Sequence, residues 1–270
     1  MFIHFKLVLL GTIAPLVLLL SCSTPPLALQ GVAWYDGHEM LEVKGRQGIW
    51  INQKLSFGAF TTNKVSRSWT KESSWSIGAA QKRLDVPTAS NIISLNHINR
   101  KQTLRFASES ASGQYADVFA ATHVRAQELK IGEGNGWASF TIDISRLINK
   151  NSNNLYYVEI YMNGSKIPWH LVLDNETSQW QPDKYVGYLF GPNNYYYQLK
   201  PVQKYHNKQS KPVKLMLGNI GFEITNREGM GLAAINTLDK GSVYFSKLLA
   251  PQERFLLENL SAALLLQEHI

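Results

Sequence analysis

Residues 156–173 read YYVEIYMNGSKIPWHLVL, and no other stretch of the chain says as much about its architecture. Val158, Ile160 and Met162 fall on one side of an extended backbone, and Tyr157, Glu159 and Tyr161 on the other. That period of two belongs to a half-buried strand. Asn163-Gly164 comes next. A type I′ turn needs positive φ at both central residues, which Asn and Gly tolerate best, so the pair predicts a hairpin whose second strand lies in 166–173.

Working outward, the same texture recurs. Short apolar pieces separated by Gly and Asn occupy 45–60, and 115–129 fits either strand or helix. Residues 92–95 and 103–106 flank a polar stretch at 97–101 and are expected to pair as a hairpin. The glycine-rich turn at 132–136 precedes a clean alternation over 140–144. Further strands are predicted at 185–190, 195–199, 213–217, 221–224 and 242–245. Many short strands with frequent turns imply a mostly β fold: a β-sandwich or barrel-like antiparallel sheets. Residues 31–249 are expected to form this β-rich domain, as one body or two packed subdomains. Residues 250–270 change character. Pro251 suits a first helical position and Glu253 the positive helix end. Leu256, Leu257, Leu260, Ala263 and Leu264 recur every three or four residues, so an amphipathic helix covering one sheet face is expected.

The chain of 270 residues is 44% hydrophobic and 17% charged, with 7 Trp, 12 Tyr and 11 Phe. That is the composition of an ordered protein with a sizeable core. No Gly-x-Ser-x-Gly, His-Glu-x-x-His, phosphate-binding glycine loop or dinucleotide fingerprint is present. His38, His97, His123, His170, His206 and His269 are scattered without ligand spacing, and Asp36-Gly37-His38-Glu39 reads as a surface turn. The sequence therefore assigns no catalytic residue, metal or cofactor. Glycoside hydrolysis needs only two carboxylates, drawn from anywhere in a chain. A glycan-acting hydrolase is thus the alternative to a binding module.

The start of the chain bears on location. Lys6 precedes an apolar run over 7–21 that is shorter than the roughly 20 residues of a spanning helix. It has the form of an export leader. Leu19-Leu20-Ser21-Cys22 resembles the lipobox of bacterial lipoproteins, with Leu three places before the cysteine and a small residue just before it. The resemblance implies a leader over 1–21, cleavage before Cys22, and a diacylglyceryl thioether on its sulfur. A thiolate is the side chain nucleophilic enough for such alkylation. Two or three acyl chains, at roughly 0.8 kcal/mol per buried methylene, anchor stably where one does not. Cys22 is the only cysteine, so disulfides contribute nothing to stability. Residues 22–30, with Pro25-Pro26, are expected to form a lipidated tether. By the same resemblance, Ser23 after the cysteine implies the outer membrane if the host is Gram-negative.

The net charge of +7 points to anionic neighbours, lipid head groups or acidic glycans, and not to nucleic acid in an exported chain. One span concentrates the charge. From 184 to 221 there is no Asp, Glu or Arg, but six lysines and half of all the tyrosines. Tyrosine offers a flat apolar face with a polar tip, and lysine a point charge. Tyr195, Tyr197, Lys204 and Lys208, with Trp169 from the hairpin, are the candidate ligand-binding residues.

Overall fold

The computed structural model describes residues 24–29, 34, 37–47, 53–69, 93–95, 102–125, 129–131, 152, 154–192 and 195–267. The leader, Cys22, the 132–136 turn, the 140–144 strand, His97 and His269 lie outside the described residues.

One antiparallel sheet of eleven strands dominates. In chain order these are β1 (His38–Glu42), β2 (Ser66–Trp69), β3 (Gln102–Glu109), β4 (Tyr115–Val124), β5 (Leu155–Met162) and β6 (Trp169–Asp174). They continue as β7 (Gly187–Phe190), β8 (Tyr196–Val202), β9 (Gly221–Thr225), β10 (Gly231–Asn236) and β11 (Ser242–Ser246). From β2 to β11 each strand pairs with the next, and β1 joins the far edge against β11. Three two-stranded ribbons stand outside the sheet: Ser56–Phe57 with Phe60–Thr61, Ile93–Leu95 with Leu129–Ile131, and Lys204–His206 with Pro212–Lys214. Among the described residues there are two helices, α1 (Asn175–Trp180) and α2 (Pro251–Leu266).

The hairpin expected at Asn163-Gly164 is β5–β6. Asn163 and Gly164 adopt φ of 50° and 70°, and Ser165 N–H donates to the Met162 carbonyl at 2.9 Å. Gly164 serves a second purpose, because a Cβ there would collide with the Tyr115 hydroxyl. The alternation in β5 places Tyr156, Val158, Ile160 and Met162 in the main core. Residues 115–124 form a strand. The hairpin expected between 92–95 and 103–106 does not form: Ile93–Leu95 pairs with Leu129–Ile131, while β3 sits between β2 and β4. Partners distant in sequence outbid the local polar stretch that resembles a turn.

The terminal helix differs most from expectation. Every residue from Phe255 to Leu266 except Glu258 is buried, so burial runs round the helix instead of along one stripe. Strands from across the sheet reach it. Tyr156 Oη in β5 donates to the Ala263 carbonyl at 2.7 Å, Ser108 Oγ in β3 to Asn259 Oδ1 at 2.6 Å, and Tyr197 Oη in β8 to Glu253 at 2.8 Å. Arg67 in β2 donates to the Leu266 carbonyl at 2.8 Å, and Arg254 in the helix pairs with Glu39 in β1. The sheet therefore curls round α2. Sixteen helical residues span about 24 Å, close to the roughly 26 Å of an eight-strand-residue wall. A curled sheet of this width encloses more space than its own side chains fill, and the helix supplies the missing volume.

The edges β1 and β2 do not pair with each other. The Ser56–Phe57 ribbon crosses between the two flanks, bridging Lys44 through Ser56 and Ser108 through Thr62. Phe57 stacks on Phe60 at 4.7 Å and on Phe245 at 6.2 Å, sealing the seam with aromatic surface. A smaller core lies on the outer face of the sheet, where Leu27 and Trp34 pack with Val202, Ile220, Ala234 and Tyr244.

Candidate functional site

The antiparallel meander gives the curled sheet two ends. One holds the start of β6, the start of β8 and the first turn of α2. The other holds the end of β4, α1, the end of β8 and the last turn of α2. The predicted ligand-binding residues divide between them.

Trp169, Tyr195 and Tyr197 meet at the first end, with ring centroids 5.5 Å apart for Trp169–Tyr197, 6.2 Å for Trp169–Tyr195 and 5.1 Å for Tyr195–Tyr197. Gly191 makes room, since a Cβ there would strike the Trp169 ring. Tyr197 is only 4% exposed and its hydroxyl is engaged by Glu253. Burial and that bond push it well above the ordinary phenol range. It is a core residue that anchors the helix entry. Tyr195 is half open, with the Arg227 guanidinium 5.4 Å from its ring centroid and 4.6 Å from that of Tyr196. Lys204 and Lys208 lie past the other end of β8, a seven-residue strand of roughly 23 Å. The expected single platform is therefore split in two. In the Asp36–Glu39 group, His38 and Glu39 belong to β1 and are used separately: His38 Nδ1 donates to the Trp34 carbonyl at 2.6 Å and Glu39 pairs with Arg254.

The second end carries three features. The first is the Lys204–His206 ribbon, whose turn exposes Lys208 and Lys211. Asn207 Oδ1 shapes that turn by accepting from the Gln209 and Lys211 N–H groups at 3.0 and 2.9 Å. Lys214 pairs with Asp183 at 3.1 Å. Met216, Leu217 and Trp180 are 96%, 70% and 68% exposed nearby.

The second feature lies within the segment 22–30, expected as a lipidated tether. Residues 25–28 are docked into the fold. Ala28 N–H donates to the Lys204 carbonyl and His206 N–H to the Pro26 carbonyl, both at 2.9 Å. Leu27 N–H donates to Tyr244 Oη at 3.1 Å, and Asn236 Nδ2 to the Pro25 carbonyl at 2.7 Å. The chain pairs antiparallel with the ribbon, Leu27 opposite Tyr205. It therefore runs back from residue 28 to 24 alongside 204–208, toward the turn that bears Lys208.

The third feature is a cavity of about 570 Å³ beneath the last turn of α2, inside the roughly 300–1,000 Å³ usual for small-ligand sites. Its described lining is rich in amides: Asn154, Asn175, Gln179 and Gln267, with Trp180 at the side and Glu176 the one carboxylate among those residues. Gln267 Nε2 donates to Asn175 Oδ1 at 2.7 Å, and Asn175 Nδ2 donates to Asn154 Oδ1 at 3.2 Å. Gln267 Oε1 is buried and has no hydrogen-bond partner among the described residues. His123, also in the lining, holds a φ of 56° within a bulge of β4 between Ala121 and Val124. Bulges re-aim side chains at sheet ends, and a non-glycine residue in this region is held there by its surroundings.

No protein family, curated protein or solved structure matches this chain.

One cluster on the opposite sheet face went unassigned in the sequence reading. Glu159, 1% exposed, accepts from Tyr157 Oη at 2.8 Å and Tyr161 Oη at 3.0 Å. Tyr157 Oη also lies 2.8 Å from His170 Nδ1. With its proton given to Glu159, that oxygen accepts from His170 Nδ1–H. Burial pushes the Glu159 carboxyl up to about 7, against the two phenols that lower it, and pushes His170 down to about 3. The 3.9 Å approach of His170 Nδ1 to Glu159 is thus no ion pair at neutral pH, because the imidazole is neutral. The signal was present in sequence as a lone acid on the tyrosine face of β5, but only the fold brings His170 across from β6.

Proposed function

We propose that this protein is a lipid-anchored component of the bacterial envelope, a binding module and not an enzyme, carried end-on at the membrane surface. The observation that carries the reading is the docking of residues 25–28 beside the lysine-bearing ribbon. Cys22 is two residues from Thr24, so its sulfur stays within roughly 10 Å of it. An acyl group on that sulfur would hold the ribbon end against the bilayer. Lys208 and Lys211 would meet anionic head groups, worth about 1 kcal/mol per lysine near the surface. Exposed Met216 and Leu217 suit the interfacial layer, which accepts apolar side chains.

Fractionation with metabolic acyl labelling tests this reading. Wild type is expected in the membrane fraction, with the label on the peptide that begins at Cys22. Cys22→Ala is expected to lose the label and to appear largely outside the membrane fraction at physiological salt, where a few lysines alone hold too weakly. Retention of Cys22→Ala in the membrane, or an unlabelled wild-type chain, contradicts the reading.

A further inference from the structure

We propose that the amide-lined cavity beneath α2 binds a neutral saccharide. The amide chain is polarised. Gln267 gives its N–H to Asn175, and Asn175 gives its own to Asn154. A buried acceptor, Gln267 Oε1, is left at one end. At the other end Asn154 Nδ2 has no partner among the described residues. A buried acceptor left unmade costs free energy that a ligand hydroxyl recovers. A simple carboxylate brings only acceptors and cannot satisfy Gln267 Oε1; an ammonium brings only donors and cannot take the Asn154 N–H. A sugar hydroxyl does both. Among the described residues the lining contains no Lys or Arg, which also disfavours an anionic ligand. Trp180 presents its ring at the cavity side, 68% exposed, an apolar face for the C–H surface of a pyranose. The β4 bulge turns Thr122 and His123 into the same space.

Binding, not cleavage, is the inferred outcome. Glycoside hydrolysis uses two carboxylates, and Glu176 is the only one among the described residues of the lining. Asp174 is nearby in sequence but is committed to capping α1, accepting from Thr177 N–H at 3.0 Å and Thr177 Oγ1 at 2.9 Å.

The test is isothermal titration of the mature chain carrying Cys22→Ser, which removes the acyl group alone, with maltose, cellobiose and N,N′-diacetylchitobiose. At least one is expected to bind saturably with a Kd of about 1 mM or tighter. Trp180→Ala, at an exposed position, and Asn154→Ala, at a half-buried one, are expected to weaken that binding tenfold or more while leaving the unfolding temperature nearly in place. Absence of saturable binding by all three sugars overturns the proposal. So does binding that both variants retain, or glucose 6-phosphate binding tighter than glucose. Because this readout does not involve acylation, its failure and failure of the anchor are separate results.

Discussion

Leu260→Asp will leave the chain without a cooperative thermal transition. Leu260 is fully buried at the middle of α2, among the apolar side chains of the main core. An uncompensated buried charge costs several kcal/mol, against a total stability of about 5–15 kcal/mol for a folded domain. The milder Leu260→Ala is expected to remove about 2–5 kcal/mol through lost burial and the cavity left behind. Gln252→Asp, exposed in the first turn of the same helix, is the control. It should leave the melting temperature almost unchanged, since a negative charge suits that helix end. Circular dichroism melts of the three variants decide the matter. If Leu260→Asp melts like wild type, α2 does not run through the interior.

Glu159→Gln will make stability depend steeply on pH where the wild type is nearly level. The sign follows from the two shifted groups. Glu159 is raised to about 7 in the folded protein from about 4.3 unfolded. Its contribution is full below that lower value and is lost as pH rises through 7. His170 is depressed to about 3 from about 6.5 unfolded. Its contribution is full above 6.5 and is lost as pH falls through 3. Between about pH 4.3 and 6.5 the two slopes oppose each other and cancel. Removing the carboxyl leaves the histidine slope alone, on the order of 1.4 kcal/mol per pH unit. Acidification from pH 6.5 to 4.5 should therefore cost the variant about 3 kcal/mol that the wild type keeps. Urea unfolding at several pH values measures the difference between the two profiles. Parallel profiles would contradict the assignment of Glu159 as a buried, proton-holding carboxyl.

Local patterns in the sequence predict the parts of the fold that local physics controls. Asn163-Gly164 has positive φ at both residues because the type I′ turn demands it, and the alternation in β5 divides its faces as read. Long-range pairing was not legible in this way. Nothing in residues 38–42 indicates that β1 closes against β11 and leaves β2 at the other edge. The spacing of Leu256, Leu257, Leu260, Ala263 and Leu264 predicts a one-sided helix with Ser261 off that face, and the polar Asn259 falls in the same stretch. Both are buried and satisfied internally, Asn259 by Ser108 and Ser261 by the Leu257 carbonyl at 2.7 Å. A polar residue inside a helix thus need not mark a solvent face. Pro25-Pro26 reads as a spacer, since such a segment makes no internal hydrogen bonds, yet its free carbonyls are what His206 and Asn236 engage. The cavity amides come from three separate stretches of chain and form no motif. Their relation exists only once α2 ends beside α1.

The most direct measurement of the end-on orientation uses the single native cysteine, which acylation consumes. A second cysteine introduced at Lys208 or at Glu228, exposed at opposite ends of the sheet, then carries a fluorophore alone. In vesicles containing anionic lipid and head-group nitroxide quenchers, the label at 208 should be strongly quenched and the label at 228 hardly at all. Equal quenching at both positions, or stronger quenching at 228, would contradict an anchor that holds the lysine ribbon against the bilayer.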